Sequence, residues 1–465
     1  MTSAGRRPPW SFVYLRTAPV TVNCACDERF QMPTFCEYLV RGVTKVPRRI
    51  CTTFGLRLRL GSLVAVITAA LTVTSAIPGY GVAGRRAHAN GGVSHPELRR
   101  QLRVDLVKYL HAYRNAEHIS AASLTVSAPE RGKPVMAAAG TTRFGGSSPV
   151  EPSSLWQIGS NTKAFTSVLV LQLEAKKRLS IYDTLGKWLP QYRRWRNVKV
   201  KSLLDMTSGI PDFTDQRAFW NAFAAHPDRN FTGRQLVSYA LRGKPTTGYS
   251  YSNTNYVLAQ MIIARAGHHS YRQQLETRII KPLHLHGLRY RTNFYSSAVT
   301  AREPAGYFYY RHQFPSLSRF RGHDVSRYSL SWARAAGGIV SSTRDMTVWE
   351  RALYSGRLLP APQQHELLSL VSTATGKPIR RTSRHNPDGY GLGVGQQTNS
   401  VFGRYWFYEG MTLGFRVLHL YLPRSGVIMA MGLNSATGND HISTLAFLAY
   451  NTLACDHIIS ASCRT

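Results

Sequence analysis

The sequence predicts an α/β fold of the α+β kind. One antiparallel sheet is assembled from both ends of the chain, flanked by helices, with a helical subdomain inserted between its halves. Three observations predict it. Residues 124–128 and 135–139 read as two strands around the turn Pro129-Glu130-Arg131-Gly132-Lys133-Pro134. Residues 415–422 and 427–433 form a second hairpin near the other end, across Pro423-Arg424-Ser425-Gly426. Between them, residues 181–287 carry mainly helical patterns and loops.

Over residues 96–115, Leu98, Leu102, Leu106, Leu110 and Tyr113 recur at close to the four-residue step of an amphipathic helix. After the first hairpin, Ala164, Phe165, Val168-Leu169-Val170-Leu171 and Leu173 are too apolar for a surface helix and predict a buried one. Residues 257–265 predict another. Residues 302–334, rich in aromatics and arginines without a period, read as a long loop on the active-site side. Residues 441–456 close the chain as an apolar helix, and no internal repeat is present.

The chemistry starts at Ser160-Asn161-Thr162-Lys163, at the head of the first buried helix. Residues three apart share a helix face, so the Ser160 hydroxyl and the Lys163 amine meet within hydrogen-bonding reach. A serine hydroxyl becomes a useful nucleophile when a neighbouring base takes its proton, and a desolvated lysine is such a base. The helix N-terminus adds a positive field where an oxyanion would form. The competing reading makes Ser160 a helix cap and Lys163 a solvated charge. No other lysine in the chain has a serine three places before it.

Further blocks accompany this one: Trp156-Gln157-Ile158-Gly159 before it, then Leu179-Ser180-Ile181-Tyr182-Asp183 and Trp188-Leu189-Pro190. Leu203-Leu204-Asp205-Met206-Thr207-Ser208-Gly209-Ile210-Pro211, Tyr251-Ser252-Asn253-Thr254-Asn255-Tyr256 and Ala336-Gly337-Gly338-Ile339-Val340-Ser341-Ser342 follow. In this order the blocks resemble the serine β-lactamase and penicillin-binding protein superfamily, closest to the class C β-lactamases, the DD-peptidases and the esterases of that fold. The resemblance runs from about residue 123 to the C-terminus and implies the β-lactamase/transpeptidase-like architecture.

It also implies roles. Ser160 is the nucleophile, Lys163 its base, and Tyr251-Ser252-Asn253 the second polar box. Beside a Lys163 ammonium the Tyr251 phenolate is favoured, and Tyr251 is expected to shuttle protons between Ser160 and the leaving group. Asn253 is expected to hold both Lys163 and the acyl side chain of a substrate. Tyr113-Arg114-Asn115 has the same spacing but falls in the first helix and is structural. The third box departs from the family: downstream of Tyr251 no Lys-x-Gly or His-x-Gly occurs. Tyr408-Glu409-Gly410-Met411-Thr412-Leu413-Gly414-Phe415 stands in its place, which aligns Tyr408 with the usual cation. Gly410 permits close backbone approach, and the Met411 N–H is expected to pair with that of Ser160 as an oxyanion hole. Arg416 is the one nearby residue that offers to restore the charge.

Other chemistries lack their motifs. There is no Gly-x-Ser-x-Gly elbow, and His365-Glu366 lacks the second histidine of a zinc helix. His284 and His286 read as structural and His268-His269 as a solvated turn, so neither a metal nor a cofactor is expected.

At 465 residues, 43% hydrophobic and 18% charged, the chain can build an ample core. Its net charge of +34 is mostly arginine. These arginines are scattered, with no aromatic-interleaved stripe, so nucleic acid is not the expected partner. Residues 60–84 carry no charge and follow Arg48, Arg49, Arg57 and Arg59, the order of a secretory signal, with Ala87-His88-Ala89 as a cleavage site before Asn90. An uncleaved membrane anchor is the competing reading. Either places the catalytic part outside the cytoplasm, periplasmic or extracellular, with membrane contact only through residues 60–84. Residues 1–59 form a basic tail, long for a signal, and read as a cytoplasmic tail or an early start codon. Residues 90–465 are the hydrolase domain. Of six cysteines only Cys455 and Cys463 lie in it, and a disulfide or two free thiols are the alternatives.

The expected function is an exported acyl-serine hydrolase acting on a small-molecule or peptidoglycan-derived amide or ester. DD-carboxypeptidase or amidase, β-lactamase and carboxylesterase are its variants. The alternative of a different class is a non-catalytic cell-wall-binding relative.

Overall fold

The computed structural model describes residues 94–464. The expected tail, the signal or anchor segment and the first four cysteines lie outside the described residues. No helix among the described residues is long and apolar enough to cross a membrane.

The central sheet has nine strands: β1 (Ala121–Ser127), β2 (Val135–Gly140), β3 (Leu370–Ser372), β4 (Pro378–Ile379), β5 (Asp388–Tyr390), β6 (Gly395–Asn399), β7 (Gly403–Met411), β8 (Arg416–Leu422) and β9 (Val427–Leu433). Their spatial order is β2-β1-β9-β8-β7-β6-β5-β3-β4, antiparallel throughout. The two ends of the chain meet where β1 pairs with β9, Leu124 opposite Met431. Between β2 and β3 lies the mainly helical insertion.

Five helices matter to the site: α1 (His95–Glu117), α2 (Thr162–Ala175), α3 (Asn253–Gly267), α4 (Thr343–Tyr354) and α5 (Ile442–Cys455). α1 starts where the Ser94 hydroxyl accepts the Glu97 N–H, with Pro96 in the first turn. It stops at His118, whose left-handed backbone breaks the helical path.

Strand periodicity divides the core. Leu124, Val126, Phe407, Leu418 and Leu420 face α1 and α5, against Leu98, Leu102 and Leu106. Each such leucine contributes about 1.5–3 kcal/mol by leaving water. The alternate residues, among them Tyr408 and Val417, face α2 and α4. There Trp349 of α4 stacks on Phe165 of α2, ring centroids 3.6 Å apart. This second face carries the site.

Cys455 and Cys463 are bonded to each other across a separation of 8 residues. Closing so short a loop contributes about 2–3 kcal/mol in the chain-entropy account. Residues 302–334 are less loop-like than the sequence suggests. They hold a short strand (Tyr307–Phe308) and two 3-10 turns (Pro315–Phe320 and Leu330–Trp332), because their aromatics pack as core rather than lining solvent. Tyr310 from this segment reaches the third-box strand, its hydroxyl 3.4 Å from the Met411 sulfur.

Candidate active site

Ser160 sits one turn earlier than a helix-borne nucleophile would. Residues Gly159–Asn161 form a 3-10 turn that runs into α2 at Thr162. Gly159 makes the turn possible: its φ of +51° is a left-handed value, and a side chain there would collide with the Met411 backbone. Gly410 is the counterpart on β7, where a Cβ would strike the Ile158 carbonyl oxygen and the Ser160 amide nitrogen. Two glycines thus let β7 and the nucleophile turn lie backbone to backbone, with the amides of residues 160 and 411 on the two sides of that contact.

Lys163 is fully buried in the first turn of α2. Its Nζ lies 3.0 Å from Ser160 Oγ, 2.8 Å from Asn253 Oδ1 and 2.8 Å from the Ala336 carbonyl oxygen. Burial lowers its pKa to about 7, partly opposed by the Asp212 carboxylate. The partner set fixes the direction of transfer. Asn253 Oδ1 and Ala336 O can only accept, so they take the two N–H groups of the neutral amine. The remaining lone pair then points to Ser160, the arrangement of a general base on a nucleophile.

The Tyr251 hydroxyl lies 2.7 Å from Ser160 Oγ on the other side. Its expected phenolate character is not what the structure supports. Burial pushes the phenol well above its usual range and outweighs the hydrogen bonds to Ser160 and Tyr408 that pull it down. Tyr251 is therefore protonated in the folded protein, and of the two groups beside Ser160 it is Lys163 that has a lone pair to offer.

Asn253 also differs from expectation. Its Oδ1 holds Lys163, but its Nδ2 donates to Asp212 Oδ2 at 2.9 Å and Thr214 Oγ1 at 3.2 Å. The amide is spent on the protein rather than turned to a substrate side chain. Asp212 is buried, and it accepts the Thr214 N–H through Oδ1 as well. It follows directly on the Ile210-Pro211 block in sequence, yet nothing in that pattern marks it as the acid behind the lysine. Ala336 lay in a recognised block, but a carbonyl role is invisible in a side-chain pattern.

Tyr408 comes to the site from β7, hydrogen-bonded to Tyr251 and, at 2.9 Å, to Tyr390. It is buried behind Tyr251, so its hydroxyl supports that phenol and is not presented to a substrate carboxylate. Arg416 does not restore the missing cation. It lies on the α1 side of β8 and is bound to Glu117, Asp440 and the Ser435 carbonyl. The period of the strand is the reason: odd-numbered Val417 faces the site, so even-numbered Arg416 cannot.

Comparison with known proteins agrees with this geometry. The family model described as Beta-lactamase matches residues 108–451. The chain belongs to the beta-lactamase family. Among curated members, Penicillin-binding protein 4* of Bacillus subtilis is 26% identical over 277 residues, 58% of this chain and 58% of its own length. The chain thus spans less than two thirds of that relative. Among solved structures, a D-stereospecific amidohydrolase from Streptomyces is 27% identical with a TM-score of 0.62, covering 76% of this chain and 98% of its own. The D-amino acid amidase of Ochrobactrum anthropi shares the beta-lactamase family fold at 21% identity, TM-score 0.64, with 77% and 99% covered.

Proposed function

We propose that this protein is an acyl-serine hydrolase that prefers neutral amides or esters to substrates bearing a carboxylate. The observation that carries the reading is Ser160 Oγ held between Lys163 Nζ at 3.0 Å and Tyr251 OH at 2.7 Å. In the proposed cycle Lys163 takes the Ser160 proton as the Oγ–acyl bond forms. The amides of Ser160 and Met411 receive the negative charge on the carbonyl oxygen. Tyr251 gives its proton to the leaving atom, and the Lys163 ammonium balances the charge left behind. Water then attacks the acyl-enzyme by the same groups in reverse.

The substrate preference rests on what position 408 lacks. Penicillins and peptides ending in D-alanine present a carboxylate near the third box, where this chain has a buried tyrosine and an inward-turned, neutralised Arg416. A hydrogen bond to a charged group contributes about 1.5–3 kcal/mol against roughly 1 for a neutral one. Losing the cation should therefore weaken anionic substrates about tenfold or more. The likeness to the D-stereospecific amidohydrolase of Streptomyces makes amides of D configuration the first compounds to try. The test is kcat/KM for matched neutral and carboxylate-bearing acyl substrates. A ratio of about tenfold or more in favour of the neutral member is expected, and efficient penicillin turnover would contradict it.

The proposal includes export, on the basic-then-apolar order of residues 48–84. A reporter fused after Asn90 should be active only outside the cytoplasm. A cytoplasmic reporter would refute both the signal and the anchor.

A further inference from the structure

Behind the nucleophile turn, on the side away from Tyr251, lies a chain of buried polar groups with no part in the proton transfers above. Asn161 Nδ2 donates to the Ile158 carbonyl and to the Val417 carbonyl, both at 2.9 Å. Carbonyl oxygens only accept, so the amide can point one way, and its Oδ1 faces His419 Nδ1 at 2.8 Å. Nδ1 must carry the hydrogen. Burial lowers the imidazole pKa to about 3, so His419 is neutral and its Nε2 accepts. Opposite Nε2 stand Glu350 Oε2 and the Tyr354 hydroxyl, each at 3.2 Å. The Tyr354 hydroxyl donates to Nε2, whereas burial holds the Glu350 carboxyl well above the usual carboxylate range and neither of its oxygens makes a hydrogen bond. Every hydrogen bond then runs in one direction, from α4 through β8 to the turn that carries Ser160.

The end of this chain is where spacing matters. Ile158 belongs to the approach to the nucleophile turn, and Val417 on β8 is the strand partner of Gly410 on β7. Asn161 therefore ties the turn to the strand pair at the one place where a Gly410 side chain would collide with it. That contact sets the separation of the two amides of the oxyanion pocket. We propose that Tyr354, His419 and Asn161 are positioning residues for acyl transfer, a one-way hydrogen-bonded chain that fixes the gap between the Ser160 turn and β7. The proposal rests on Ser160 being the nucleophile.

Such a chain should act on the transition state and leave ground-state binding alone, because the pocket receives charge only as the oxyanion forms. His419→Phe fills the space but removes the Nδ1–H donor. In the full-length protein it should lower kcat about tenfold to a hundredfold while KM stays within about threefold. Phenylalanine leaves the buried Asn161 Oδ1 without its donor, at about 1–3 kcal/mol, so the melting temperature should fall while the protein stays folded. His419→Asn returns an amide donor at the Nδ1 position and should recover most of kcat, and Tyr354→Phe, which removes the donor to Nε2 but leaves the His419–Asn161 bond, should lower kcat less than His419→Phe does. A folded His419→Phe with wild-type kcat and KM would overturn the proposal. If that variant fails to fold, nitrogen-15 NMR of the wild-type imidazoles decides: a neutral His419 protonated on Nδ1 is expected, and an imidazolium or the Nε2–H tautomer overturns the chain. Wild type that a serine-directed fluorophosphonate cannot label would instead overturn the reading of Ser160, a separate failure that leaves the NMR result standing.

Discussion

Lys163→Met should remove about a thousandfold to ten-thousandfold of kcat/KM and leave the fold standing. The first half follows from the lone-pair geometry: with the amine gone, nothing else within reach of Ser160 Oγ can take its proton, since Tyr251 stays protonated. The second half follows from opposing magnitudes. A lysine at about 7 in the folded protein against its ordinary 10.5 is disfavoured in its charged form. Near neutral pH the unfolded chain binds more protons at this position than the folded one. The cost of burying it grows as pH falls from the unfolded value toward 7 and reaches on the order of 5 kcal/mol. Methionine escapes that cost but orphans Asn253 Oδ1 and the Ala336 carbonyl, at about 1–3 kcal/mol each. The two effects roughly cancel. Thermal unfolding and kcat/KM measured on the same preparation check both halves. The wild-type pH profile should show an acid limb near 7, activity rising as Lys163 loses its proton. A folded variant with ordinary activity would return Lys163 to the role of a structural charge.

Asp212→Asn should move that acid limb to lower pH. The Asp212 carboxylate is the group that raises the Lys163 pKa against the pull of burial, so removing its charge makes the lysine a weaker base and easier to deprotonate. The same change disturbs the grip on Asn253, because one of the two acceptors of its Nδ2 becomes an amide that must turn to accept. A fall in maximal kcat should therefore accompany the shift. The pH dependence of kcat/KM on wild type and variant is the check. An unmoved limb would mean that Asp212 is uncharged in the folded protein.

The architecture was legible because each of its parts has a period. The four-residue leucine step over residues 98–110 became α1, the two hairpins became β1-β2 and β8-β9, and their pairing joined the two chain ends. The first box was legible because Ser160 and Lys163 are local in sequence, and local geometry brings them together whatever the rest of the chain does. What escaped is non-local or carries no side-chain signature. Asp212 acts on Lys163 from 49 positions away through Asn253. Ala336 contributes only a carbonyl. The His419 chain joins residues from α4, β8 and the Ser160 turn that no motif links. Protonation escaped for a different reason. The phenolate expected of Tyr251 assumed an ammonium beside it, and burial instead raises the phenol and lowers the amine. The side that Arg416 takes was not legible, because one residue of strand register is enough to turn a side chain from the site to the opposite layer.

The central claim is that Ser160 carries the acyl group. The most direct test is mass spectrometry of the protein after reaction with a fluorophosphonate, with the adduct located by peptide fragmentation. One adduct per chain, on the peptide containing Ser160 and absent from Ser160→Ala, is the expected result. An adduct on another residue, or labelling that survives Ser160→Ala, would place the nucleophile elsewhere and contradict the account.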